Sequence, residues 1–172
     1  MKLLVFSLLL CGASAQMSGS YSEVSRGGQD QGAIETTGDD TGRSTINWQT
    51  FNGRSFIFLA NAVTWAHAQQ HCLTLGGTLA TVHNHEEEAF VKRVAGGKDA
   101  WIGLSDAQQD GFWFWINGNP LAYTNWCAGE PNNVHGIPQE CVVINFSANK
   151  CWDDERCSIK RPFVCEKKLP NP

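Results

Sequence analysis

Hydrophobic and polar positions divide the 172 residues into three regimes. Leu3 to Cys11 is a short, almost unbroken apolar run. Residues 16–44 are rich in Gly, Ser, Gln, Asp and Thr and hold almost no large apolar side chains. From Trp48 onward, short apolar stretches alternate with Gly, Asn and Pro. In "WQTFNGRSFIFLA", Phe51, Phe56 and Phe58 surround Asn52-Gly53, which predicts a hairpin. In "AVTWAHAQQHCLTLGG", Val63, Ala66, Gln70 and Leu73 fall on helical spacing, and Gly76-Gly77 supplies a stop. "TLATVHNHEEEAFVKRVAGG" predicts a short strand and then a second helix. Asn84 is placed to cap that helix, and Glu86, Glu87 and Glu88 lie in its first turn, where the positive end of the helix dipole favours them. Gly96-Gly97 ends it. "AWIGL", "FWFWI", "CVVIN" and "FVCEK" predict strands. Two helices followed by a mostly β half describe one α+β domain over residues 45–168, with a short tail at 169–172.

The two N-terminal regimes read differently. Lys2, the apolar run and the small residues Ala13-Ser14-Ala15 make a secretory signal peptide over residues 1–15. The run is too short to span a bilayer, and no second long apolar run follows. Residues 16–44 read as a flexible arm, because so polar a segment buries too little surface to offset its ordering entropy. The arm lacks both a Gly-x-y period and an apolar heptad. The formal net charge of −4 argues against a nucleic-acid partner.

Removing residues 1–15 removes Cys11 and leaves Cys72, Cys127, Cys141, Cys151, Cys157 and Cys165. An even number in an exported chain implies three disulfides, and six cysteines allow fifteen pairings. Two stretches near these cysteines are rich in side-chain oxygen: "EPNNVHGIPQEC" (130–141) and "CWDDERC" (151–157). Read as loops, they gather Glu130, Asn132, Gln139, Glu140, Asp153 and Asp154, a donor set suited to a hard cation. His67 and His71 stand four apart on the first helix, as metal ligands do, but "AQQ" between them lacks the Glu that a zinc hydrolase uses as base. They read as an exposed helix face. Asn145-Phe146-Ser147 is an N-glycosylation sequon. No nucleophile–base constellation or phosphate loop is evident, which argues against an enzyme.

From Trp48 to Lys168 the residues resemble the C-type lectin domain. The resemblance rests on Trp65, Cys72, "AFV" (89–91), "WIGL" (101–104), "TNW" (124–126), "EPN" (130–132), "WDD" (152–154), Cys157 and Cys165. "FNGRSFIF", "WAHAQ", "WFWI" and "KCWDD" are similar to the fish members, ladderlectin-like soluble lectins and type II antifreeze proteins. The resemblance implies two helices, small antiparallel sheets, a long calcium-binding loop region and disulfide staples. It implies the pairs Cys72–Cys165, Cys141–Cys157 and Cys127–Cys151, and a cis bond before Pro131.

It also implies Ca2+ held by Glu130, Asn132, Gln139, Asp153 and Asp154, the last with its backbone carbonyl. Two positions depart from the family pattern. Gln139 stands where Glu is usual, and Asp153 where Asn is usual, so the number of carboxylates is unchanged. Asp106, Asp110, Asn133 and Glu140 are a subsidiary candidate for a second calcium. Glu-Pro-Asn resembles the mannose-type signature, so the resemblance implies a secreted lectin for glycans, including those of microbial surfaces. The alternatives are an ice-binding protein of the type II kind, and a lectin-like protein-binding domain without calcium or sugar.

Overall fold

The computed structural model describes residues 47–169. The predicted signal peptide, the predicted arm and all but the first residue of the predicted tail lie outside the described residues. Ten strands and helices follow in order: β1 (Gln49–Phe51), β2 (Arg54–Val63), α1 (Trp65–Thr74), β3 (Thr78–Leu79), α2 (His85–Val94), β4 (Ala100–Ser105), β5 (Phe114–Trp115), β6 (Cys141–Phe146), β7 (Cys151–Glu155) and β8 (Arg161–Lys168), with a 3-10 turn at Val134–Gly136 between β5 and β6. No helix among the described residues is long and apolar enough to cross a membrane.

The hairpin forms where expected. Asn52 and Gly53 both take positive φ, 47° and 75°, as a two-residue connection between twisted antiparallel strands requires. β2 then pairs with β8 over almost its whole length. The strands join in the order β1-β2-β8-β4-β6-β7, with β3 on β8 and β5 on β4. The strands form one hydrogen-bonded assembly, antiparallel except where β4 meets β8, in keeping with the α+β fold that the resemblance implied.

The sheet is buried on both faces, which explains why its central strands read as continuous apolar runs. Successive side chains point to opposite sides. Ile57, Trp101, Val143, Phe163 and Cys165 join Ala68 and Cys72 of α1 in one core. Phe56, Ile102, Val142, Ile144 and Val164 join Val91 and Val94 of α2 in the other. The helical spacing of Val63, Ala66, Gln70 and Leu73 does not mark the packed face of α1. Val63 ends β2, and Ala66, Gln70 and Leu73 face solvent, while Ala68 and Cys72 are buried. Small and sulfur-containing residues carry the packing face.

Each helix ends on its Gly pair. Gly76 N–H reaches Leu73 O at 3.0 Å and Gly77 N–H reaches Cys72 O at 3.0 Å. The same pattern recurs at Gly96 and Gly97. Such paired bonds satisfy carbonyls that a helix end leaves free. Asn84 caps α2 by accepting from Glu87 N at 2.9 Å.

The glutamates of α2 do more than favour its dipole. Glu87 turns inward to Arg54 at 2.6 Å, and Arg54 also pairs with Glu166 of β8. Glu88, 1% exposed, accepts from Trp152 Nε1 and Asn125 Nδ2 at 2.8 Å and from Tyr123 Oη at 2.7 Å. Lys92 pairs with it at 2.9 Å. Burial alone would raise the Glu88 pKa, but these donors outweigh it and hold the carboxyl below its ordinary range. Glu88 thus ties α2 to β7 and to the segment leading into residue 130. Removing it leaves several buried donors and a lysine unpaired. Glu88→Ala should cost about 3 kcal/mol or more, and Tyr123→Phe about 1 kcal/mol, measured by urea denaturation of the oxidised chain. A Glu88→Ala loss below that of Tyr123→Phe would contradict this role.

Candidate metal centre

Three carboxylates converge at one edge of the domain. One oxygen each from Glu130, Asp153 and Asp154 lies within 4.8 Å of the others. Asp153 and Asp154 are not in a loop, as the sequence suggested. They are successive residues of β7, registered opposite Val143 and Val142 of β6. Both are buried, with Asp154 1% exposed. A polar pair inside a strand defeats a reading based on hydropathy.

Glu130 reaches the strand through a covalent and hydrogen-bonded clamp. Trp126 forms a parallel bridge with Trp152. Trp152 N–H donates to Asn125 O, and Cys127 N–H to Trp152 O, each at 2.8 Å. Cys127 and Cys151 form a cystine. Glu130 N–H closes back onto Cys127 O at 3.0 Å. That tight turn needs a left-handed residue at its third position, and Gly129 supplies it with φ 94°. The Glu130-Pro131 bond is cis. The other cystines are Cys72–Cys165 and Cys141–Cys157, so all three pairs are those the resemblance implied.

Asp154 organises the loop that follows. Its carboxylate accepts from Asn132 N, at 3.1 Å to each oxygen, and from Asn133 N at 3.1 Å. Its backbone carbonyl accepts Gln139 Nε2 at 2.8 Å. Gln139 Oε1 accepts from Val134 N at 2.8 Å, and Gln139 N donates to Asn133 Oδ1 at 2.8 Å. Gln139 is therefore placed beside the cluster, but its amide bridges the loop to β7. Both it and the Asp154 carbonyl, expected as ligands, are already engaged in that bridge. Asn132 is exposed, four residues from the short 3-10 turn's last residue, Gly136.

The electrostatics reflect crowding. Glu130 is pushed up to about 7, first by burial and then by Asp154 and Asp153. Asp153 is pushed up to about 6, first by burial and then by Asp154 and Glu155, against a smaller opposing pull from Glu130 and Arg161. Glu130 Oε2 is buried without a hydrogen-bond partner. An oxygen-only donor set with an unpartnered carboxylate oxygen fits a hard divalent cation such as Ca2+.

The subsidiary set is only partly assembled. Asp110, Asn133 and Glu140 line one notch of about 330 Å3. Asn133 Nδ2 donates to Asp110 Oδ1 at 2.8 Å. Asp106 is buried with one carboxylate oxygen unpartnered, and burial raises its pKa. Among the described residues, no second trio of ligand atoms gathers as closely as the first. Asn145 is also not the surface acceptor that its sequon suggested. It is 3% exposed, and its Nδ2, the atom a glycan would use, donates to Lys98 O at 2.9 Å.

Residues 61–167 match the sequence model of the Lectin C-type domain. The chain belongs to the C-type lectin domain family. It is similar to the type-2 ice-structuring protein of Osmerus mordax, at 34% identity over 94% of this chain and 90% of that one. It is equally similar to ladderlectin of Oncorhynchus mykiss, at 34% identity over 94% of this chain and 92% of the relative. The herring type II antifreeze protein superposes with a TM-score of 0.69 and 35% identity, covering 74% of this chain and 99% of that structure.

The raised carboxylates give a signed prediction. Unfolding returns Glu130 and Asp153 to the ordinary carboxylate range, so between about pH 4.5 and 7 the folded state binds more protons than the unfolded one. Their contribution to stability therefore falls as pH rises through that window. With chelator present, Glu130→Gln should melt above the native chain at about pH 7.5, with the gap closing towards about pH 5. Comparing the two proteins cancels other titrating groups. A gap that is absent or reversed in thermal melts would contradict the crowding described here.

Proposed function

We propose that the chain is a secreted calcium-dependent lectin whose Glu130, Asp153 and Asp154 hold the ion with their carboxylates. The observation that carries this reading is the convergence of three acidic oxygens, one of them buried and unpartnered, in a member of the C-type lectin family. Asn132 adds an amide beside them. Gln139 acts first as the brace that holds the loop to Asp154. Calcium, when bound, offers coordination positions that the vicinal hydroxyls of a sugar fill.

The chain's own side chains then sort the sugar. Glu130, as carboxylate, accepts a hydrogen bond, while the Asn132 side chain both accepts and donates. This acceptor–donor order favours mannose-type hydroxyl geometry and glycans of microbial surfaces. The replacement of Glu by Gln at 139 removes a charge that Asp153 restores, and the reading takes the ion as retained on that balance. A binding module of this kind needs no nucleophile, and the reading includes no catalysis.

Ice binding is the second reading. It is favoured by similarity to the ice-structuring relatives. It is also favoured by exposed apolar residues, Val134 and Ile137, in the loop bearing the cluster. The two readings separate in one pair of measurements on the secreted, oxidised chain. The lectin reading expects a glycan array to show mannose-type ligands in millimolar calcium, loss of binding in chelator or in Glu130→Gln, and no thermal hysteresis. Thermal hysteresis without glycan binding would replace it by the second reading. Retention of galactose-type ligands alone would overturn the assigned preference.

A further inference from the structure

Helix α1 presents its two histidines on solvent-exposed positions. His67 and His71 are four residues apart, so their side chains rise from adjacent turns of one helical face. Both line a surface notch of about 370 Å3, together with Val63, Gln70 and Thr74. Each ring also has a contact that restrains it. His67 Nδ1 lies 2.8 Å from Oγ1 of Thr64, the N-cap of the helix. With Nδ1–H donated to that oxygen, Nε2 keeps its lone pair free. The His71 ring stands edge-on to the buried ring of Phe163, with centroids 5.5 Å apart. A ring bonded to oxygen through one nitrogen and open at the other is the arrangement that metal-binding histidines use.

We propose that His67 and His71 together chelate a borderline divalent cation, Zn2+ or Cu2+, with solvent completing its shell. Imidazole nitrogen suits these ions, while carboxylate oxygen suits calcium. The domain would then sort two kinds of cation by donor atom, nitrogen on α1 and oxygen beside β7. Two protein ligands on an open face hold the ion exchangeably, unlike the four of a closed structural site. "AQQ" between the histidines provides no carboxylate base, so the site binds rather than hydrolyses.

The test is calorimetric titration of ZnCl2 into the folded, oxidised chain in calcium-containing buffer. The expected result is a single zinc site. His67→Ala and His71→Ala should each weaken it, and the double variant should lose it. Glu130→Gln and His85→Ala should leave it unchanged. Because both histidines are exposed, the variants should fold, as their far-ultraviolet circular dichroism would verify. Absence of a zinc isotherm in the native chain would overturn the proposal. So would an isotherm that survives in the double variant, or one that disappears with Glu130→Gln.

Discussion

Glu130, Asp153 and Asp154 repel one another, and the fold holds them together anyway. At an effective dielectric of about 20, like charges at this spacing repel by roughly 3–4 kcal/mol per pair. The Cys127–Cys151 cystine spans the two segments that carry them. A single disulfide contributes about 2–4 kcal/mol, so it is of the same order as one such repulsion. The cystine is joined by the backbone bonds of residues 125–127 to Trp152 and by the turn that ends at Glu130. Proton uptake by Glu130 and Asp153 relieves the remaining strain in the absence of a cation. A divalent ion held there, as proposed, would cancel more of the charge.

Trp152 connects this edge to the interior. It is fully buried, the two aspartates follow it on β7, and its indole N–H is held by Glu88 of α2. Trp115, Tyr123 and Trp126 stand edge-on around it. The platform beneath the carboxylates is therefore rigid aromatic packing pinned by one buried anion. Helix α2 lies under the site through Glu88, while α1 packs on the opposite face of the sheet.

The sequence revealed features with strong local signatures. The Asn52-Gly53 hairpin, both Gly-pair helix ends and the Asn84 cap have fixed chemical requirements and were legible directly. The family resemblance supplied the cystine pairs and the cis bond before Pro131, while the candidate acidic residues stood out from the two oxygen-rich stretches themselves. What stayed hidden depends on tertiary burial. Asp153 and Asp154 look like loop residues because polar pairs are rare inside buried strands. Glu87 and Glu88 look like helix-dipole partners because their donors lie 33 or more residues away, at Arg54, Tyr123, Asn125 and Trp152. The Asn145 sequon carries no trace of the Lys98 carbonyl that occupies its amide nitrogen. Gln139 appeared as a ligand because its bridge between Val134 and Asp154 exists only in three dimensions.

Measured against the pattern that the resemblance implies, Gln139 and Asp153 place one charge in the strand rather than in the loop. In the strand it is buried and crowded, which raises its proton affinity, so that the proposed cation uptake would release protons. The most direct test is calorimetric titration of calcium at about pH 6.5 in two buffers of different ionisation enthalpy. The account predicts one calcium site whose apparent enthalpy differs between the buffers, reporting protons released on binding. No calcium uptake, or uptake with the same enthalpy in both buffers, would contradict it.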